Sequence, residues 1–309
     1  MYRQRMKWKL QRFFRQLEEQ MDSFLNLWRG TRVKTRMCPS CRALVRTGEK
    51  NCPQCDARLG RRVSGIGKLL QNLAPNFAPV SYVLLTLNFL LFVIVFASQR
   101  EITGQDLRAF LMGGSPRSIV RWGGDVALLV SQGQWWRLIS AIFVHIGIIH
   151  LLFNSYALIF IGPLLEELLG RERFLVIYIG TGVFGFVVSN SYYHPVHITA
   201  GASGAIFGLI GAGIVLSRKW ASWSGMLREQ LVHWAIYGFG YGLLLGANNA
   251  AHFGGFLAGM GIASLLRNPG LSTPREENRW RVLYWVVLLL TMFSLILAFL
   301  SGITSQNPA

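Results

Sequence analysis

Charged side chains are scarce in this chain, at 15% of 309 residues against 52% hydrophobic ones. That balance excludes a water-soluble domain of this length and reads as a polytopic membrane protein with a modest soluble part. Acidic residues are scarcer still: 14 Asp and Glu face 31 Lys and Arg, for a formal charge of +17. On a soluble domain such an excess would point to nucleic acid. Here much of it lies before residue 70 and in short connectors between apolar runs, which serves membrane topology and anionic lipid, so no nucleic-acid partner is expected. Cysteine is missing after Cys55, and Cys38, Cys41, Cys52 and Cys55 share one short window, which excludes a dispersed disulfide framework. A cleavable signal peptide is also lacking, because the first long apolar run begins near Val80, after a polar and basic segment. That run reads as a retained first span.

Residues 1–36 form a basic amphipathic segment. Met6, Leu10, Phe13, Leu17, Met21, Phe24 and Trp28 recur at intervals of three or four, with Arg3, Arg5, Lys7, Lys9, Arg12 and Arg15 between them. The pattern predicts a helix, lying on an acidic inner leaflet or packed on the neighbouring module. Residues 37–60 carry Cys38-Pro39-Ser40-Cys41 and Cys52-Pro53-Gln54-Cys55, two C-P-x-C knuckles ten residues apart. Each knuckle can turn two thiolates toward one ion, and together they complete a tetrahedral Cys₄ site with no position left for water. The module resembles a zinc ribbon with a structural Zn²⁺, and redox thiols are the lesser alternative. It would serve substrate recruitment, a cytosolic adaptor contact or regulation by zinc supply. Residues 61–79 read as a linker.

Apolar runs predict seven membrane helices at about 80–97, 138–161, 174–190, 203–216, 231–246, 250–266 and 282–300. With the N-terminus in the cytosol, the inner connectors carry Arg171, Arg173, Arg218, Lys219, Arg228, Arg267, Arg275, Arg279 and Arg281, while the C-terminal tail, which carries no Lys or Arg, lies outside. A prokaryotic plasma membrane is the expected address. The fourth predicted span is short: fourteen residues cover roughly 21 Å of a core about 30 Å thick. Arg218 and Lys219 hold its inner end, so Ser203 at its start is expected below the external surface.

Ser203 stands in Gly201-Ala202-Ser203-Gly204, and Gly204, Gly208 and Ala212 recur down one face. Gly255 and Gly259 do the same after His252. Two such helices can approach closely and bring an imidazole to a serine hydroxyl. An ionisable residue within a span marks a functional site by default, whereas a serine alone reads as ordinary helix packing. His150 and Asn154 lie one turn apart and can aim donors at one point, as an oxyanion site would need. His145 precedes them. A metal site, as in a histidine-based transporter, ranks lower because no intramembrane carboxylate or thiolate joins these histidines. His194, His197 and His233 read as bystanders, and Asn248 and Asn249 as residues that satisfy backbone groups where the last core helix starts.

Together, Gly201-x-Ser203-Gly204, Ala251-His252-x-x-Gly255-x-x-x-Gly259, His145-x-x-x-x-His150-x-x-x-Asn154 and Trp136-Arg137 resemble the rhomboid intramembrane serine proteases over residues 80–267. The resemblance implies an all-α fold, a six-helix core over 80–267 followed by a connector and seventh transmembrane helix within 268–309. It implies Ser203 as nucleophile and His252 as general base, with His150 and Asn154 lining an oxyanion hole. His145, Trp136, Arg137 and Glu166 would be structural. Phe207 would pack on the catalytic histidine, where many relatives have tyrosine. The substrates implied are transmembrane proteins in the lipid bilayer, cut near helix-breaking segments. A catalytically silent relative that binds transmembrane clients is the alternative, disfavoured because it has no chemical need of both Ser203 and His252.

Overall fold

The computed structural model describes residues 35–37, 44–46, 51–56, 78–98, 111, 113, 115–219, 225–267 and 272–304. The chain divides into two compact units, residues 1–68 and 69–309.

In the first unit, β1 (Thr35–Met37) pairs antiparallel with β2 (Leu44–Arg46). Cys38 and Cys41 fall between them in sequence, outside the described residues. The second knuckle is a tight turn closed by the Asp56 N–H on the Cys52 carbonyl, with Cys52 buried and Cys55 exposed. Asp56 adopts a left-handed backbone, and its carboxylate accepts from Asn51. The amphipathic segment expected over residues 1–30 and most of the linker lie outside the described residues.

The second unit is helical. In chain order it comprises α1 (Pro79–Ala97), α2 (Pro116–Arg121), β3 (Asp125–Val126), α3 (Ala127–Ser131), α4 (Arg137–Ser140), α5 (Ile148–Leu169), α6 (Arg171–Tyr192), β4 (Ile198–Thr199), α7 (Ser203–Lys219), α8 (Gly225–Leu245), α9 (Asn249–Leu265) and α10 (Pro274–Thr304). By length and composition α1, α5, α6 and α10 are each able to cross a membrane. The exterior is correspondingly apolar, with Leu152, Phe153, Leu243, Leu244 and Leu289 exposed. Helix α10 inverts the soluble pattern. It buries Thr291, Ser294, Ala298 and Gly302 and turns Met292, Phe293 and Ile296 outward, as a lipid-facing helix does.

One predicted span is displaced. The apolar run expected as a helix over 138–161 splits: α4 stops at Ser140, residues 141–147 are not helical, and α5 runs from Ile148 to Leu169. Ala141, Ile142, Phe143 and Val144 are apolar because they are fully buried, not because they span. An apolar run carries no information about which of these it serves.

Glu166 joins the first two long helices. Its carboxylate accepts from the Val80 and Ser81 backbone N–H groups at 2.9 and 2.7 Å and from the Ser81 hydroxyl at 2.7 Å. Backbone donors at a helix start have no partner within the helix, so a buried carboxylate there satisfies them and meets the positive end of the dipole. Arg137, the first residue of α4, does comparable work in the segment before α5. Its guanidinium donates to the carbonyls of Val120 and Gly124 and to the Gln134 side chain, and lies 4.5 Å from the Trp136 ring centroid. Burial lowers its pKa to about 10, against the opposing pull of nearby Asp125.

Candidate active site

Helices α7 and α9 both start at the site and both end near Lys219, whose ammonium donates to the carbonyls of Ser264 and Leu266 at 2.6 and 2.8 Å. Between those ends they pack backbone on backbone. A Cβ at Gly255 would fall 2.8 Å from the Gly204 carbonyl carbon, and one at Gly259 would fall 2.7 Å from that of Gly208, with the carbonyl oxygens nearer still. No side chain larger than hydrogen fits at either position, so the glycine stripe sets the separation of the helices.

That separation carries Ser203, the first residue of α7, to His252 in the first turn of α9. Ser203 Oγ lies 2.8 Å from His252 Nε2. Ser203 is half-buried and His252 buried. Phe207, one turn below Ser203, stacks on the imidazole at 4.4 Å between centroids and 18° between planes, and Phe239 of α8 meets it edge-on. The ring thus has apolar neighbours on its faces and polar ones at its nitrogens. From this arrangement the hydroxyl proton can pass to Nε2 and leave an oxygen nucleophile.

Gly201 is required for two reasons. Its φ of +124° is one that side-chain-bearing residues rarely adopt, and a Cβ there would lie 2.5 Å from His150 Cε1 and 2.7 Å from Nε2. The His150 ring therefore sits against the backbone just before Ser203. Asn154 is buried, with its amide nitrogen 3.0 Å from the His150 carbonyl. One of its two N–H groups is committed there, which leaves the other for a ligand. His145 is fully buried outside α5, with Nδ1 3.1 Å from the Phe143 carbonyl and its ring 5.2 Å from that of His150. Among the described residues, no third His, Cys, Asp or Glu completes a metal-binding group with these two. His194, His197 and His233 lie apart from these contacts; His197 stacks on Tyr193 and His233 on Tyr237.

The two asparagines before His252 divide in a way that sequence reasoning missed. Asn248 caps α9, accepting from the Ala251 N–H at 2.9 Å, and its amide donates to Ser189 and to Thr199. Asn249 instead turns its Oδ1 to His252 Nδ1 at 3.0 Å. The available signal was its position three residues before the histidine, which places both on one helical face. Nearby, β3 pairs with β4, and buried Asp125 accepts from Asn190 at 3.3 Å. Burial raises the Asp125 carboxyl to about 6, although the Asn190 hydrogen bond and Arg137 pull the other way.

The chain is similar to known proteins. A family profile described as the Rhomboid domain matches residues 132–269. The chain is 32% identical over 204 residues to Rhomboid protease GluP of Bacillus subtilis (strain 168), which covers 65% of this chain and 37% of that protein. It is 30% identical over 220 residues to RHOMBOID-like protein 4 of Arabidopsis thaliana, covering 63% and 52%. To RHOMBOID-like protein 5 of the same plant it is 30% identical over 224 residues, covering 63% and 68%. The chain thus spans 37% and 52% of the length of the first two relatives. A helical bundle with a lipid-compatible exterior, built on glycine-faced helices and matched in this way, belongs to the rhomboid family.

Proposed function

We propose that this protein is an intramembrane serine endopeptidase that cleaves transmembrane proteins with Ser203 and His252. The observation that carries this reading is the 2.8 Å contact between Ser203 Oγ and His252 Nε2 at the starts of two helices packed so closely that no side chain fits between them at Gly255 or Gly259. His252 Nε2 takes the Ser203 proton as Oγ attacks a peptide carbonyl, giving a tetrahedral oxyanion. His150 and the second Asn154 N–H, with the unsatisfied backbone donors at the start of α7, are the groups to stabilise that oxygen. Collapse expels the amine, which takes the proton from the imidazolium. Water activated by the same imidazole then hydrolyses the acyl-enzyme and restores Ser203. The substrate must be unwound where it is cut, because helical backbone has its carbonyls already paired.

In this reading seven helices cross the membrane, with the basic N-terminus in the cytosol and the C-terminal tail outside, in a prokaryotic plasma membrane. The N-terminal cysteines hold one structural zinc. The hairpin pairing of β1 with β2 and the tight turn at Cys52 support this, since both suit two facing knuckles. Metal analysis of the purified full-length chain should find about one zinc per chain, falling to none when Cys52 and Cys55 are both replaced by serine.

The test of the catalytic reading is reaction of the purified protein with a fluorophosphonate or isocoumarin, beside the Ser203→Ala variant. Labelling and cleavage of a model transmembrane substrate should both vanish in the variant. If the unaltered protein shows neither, the reading fails and a client-binding relative replaces it.

A further inference from the structure

Helix α10 is held at both ends. Near its start the buried Arg173 guanidinium of α6 donates to Glu277 at 2.5 Å and to Ser272 at 3.0 Å, and lies 5.7 Å from the Trp280 ring centroid. Its last turn leaves carbonyls without helical partners, and Arg121 Nε donates to that of Gly302 at 2.6 Å. A guanidinium there also meets the negative end of a 31-residue helix. Trp122 fills the space that glycine leaves at 302: a Cβ there would lie 2.5 Å from Cζ3 and 2.7 Å from Cδ2, with Cε3 nearer still. The indole is fixed through its nitrogen, which donates to Ser98 at 2.7 Å, and it meets Phe299 at 5.9 Å between centroids.

From this seat a short route leads to the nucleophile. Gly123, with φ of +99°, is interleaved between α10 and α4: a Cβ on it would lie 2.8 Å from Ala298 Cβ and 2.7 Å from Ser140 Oγ. Ser140 donates its hydroxyl to the Gly123 carbonyl at 2.7 Å, and both residues are buried. Ala141, the next residue, is fully buried, and its carbonyl accepts the Gly201 N–H at 2.9 Å. Gly201 stands two residues before Ser203. A close-packed interior passes a displacement along such a series of contacts instead of absorbing it. Neither α10 nor residues 121–123 fall within the stretch 132–269 that the family profile matches.

We propose that α10 is a brace for the catalytic serine: through Trp122 and Gly123 it fixes Ser140 and Ala141, and so the backbone at Gly201 on which the position of Ser203 depends. Trp122 and Gly302 are then positioning residues, which act on Ser203 through the 118–141 segment and not on the substrate. The inference rests on the serine endopeptidase reading. It carries a kinetic signature of its own. A misplaced nucleophile slows the attack itself, so kcat and the labelling rate fall together while substrate binding is kept. A helix that served only to anchor the chain in the bilayer would change neither when its seat on Trp122 is disturbed.

The experiment measures fluorophosphonate labelling of Ser203, with kcat and KM on a model transmembrane substrate, in the full-length protein and its Gly302→Ala, Ala298→Gly and Leu289→Ala variants, and in Gly302→Ala combined with Trp122→Phe. Thermal unfolding in detergent sets an assay temperature at which the variants compared are folded. Gly302→Ala drives a methyl into the indole and should lower labelling and kcat by about 10–100-fold with KM little changed. The smaller ring of Trp122→Phe makes room for that methyl, so the combined variant should label at least about threefold faster than Gly302→Ala alone. Ala298→Gly only removes the methyl that meets Gly123 and should lower labelling by about threefold or more, which covers a Gly302 variant that fails to fold. Leu289 is exposed on the outward face of the same helix, and Leu289→Ala should label like the unaltered protein. Folded Gly302→Ala and Ala298→Gly variants that label within about twofold of the unaltered rate overturn the brace alone. So do a KM that rises with kcat unchanged, a combined variant no faster than Gly302→Ala, and a Leu289→Ala loss as large as that of Gly302→Ala. Absence of Ser203 labelling in the unaltered protein overturns the endopeptidase reading and the brace together.

Discussion

Gly255→Ala isolates the feature on which the site depends. A Cβ at this position would lie 2.8 Å from the Gly204 carbonyl carbon, 3.3 Å from its Cα and nearer still to its oxygen. All three are backbone atoms, so no rotamer change relieves the overlap. Helix α9 must retreat from α7 by about 1 Å, at an overpacking cost of about 1–3 kcal/mol. His252 sits one turn before Gly255 on the same face, so the retreat carries it away from Ser203. A separation of 2.8 Å would become about 3.8 Å, beyond hydrogen-bond reach. Loss of general-base assistance should lower Ser203-dependent fluorophosphonate labelling by about 100-fold. Thermal unfolding in detergent should show a lower but still cooperative transition. Gly261→Ala is the control, because a Cβ there meets nothing within 4 Å, and it should label like the unaltered protein. If Gly255→Ala labels within about twofold of the unaltered rate at an unchanged Tm, backbone contact does not set the Ser203–His252 distance.

Three further outcomes follow from the geometry. Glu166→Ala strands the backbone donors of Val80 and Ser81 and should cost about 4 kcal/mol, read as a fall in Tm, with Glu166→Gln costing roughly half as much. Asp125 has its carboxyl raised to about 6, so the folded state holds the proton more tightly than the unfolded chain, and the contribution is full below the usual carboxylate pKa. It should be lost as pH rises through 6, worth about 3 kcal/mol in all, so Tm between pH 4 and 7 should fall more steeply than in Asp125→Asn. Gly201→Ala forces a side chain into a φ of +124° against the His150 ring, and should lower both Tm and Ser203 labelling, the strain costing about 1–3 kcal/mol.

Much of the molecule was legible in one dimension because the properties concerned are local. Runs of apolar residues between basic connectors located the long helices, α7 beginning at Ser203 and α9 near residue 250, since hydropathy and helix length answer to the same bilayer. The glycine spacing of Gly204, Gly255 and Gly259 announced a close helix pair, because every fourth residue falls on one face. What the chain could not announce was which burial each apolar residue serves. Ala141 to Val144 are as apolar as a span yet lie buried in a loop, and only their packing distinguishes the two. Polar partners were equally hidden. Asn248 and Asn249 are adjacent and identical, and one caps a helix while the other faces His252 Nδ1, a division decided by Ser189, Thr199 and the space that glycine at 242 leaves beside the Asn249 amide. Sequence alone determined that a serine and a histidine head two glycine-faced helices. The tertiary structure decided that they meet at 2.8 Å, because hydrogen-bond distance depends on how closely two backbones touch and not on the spacing of residues along either one.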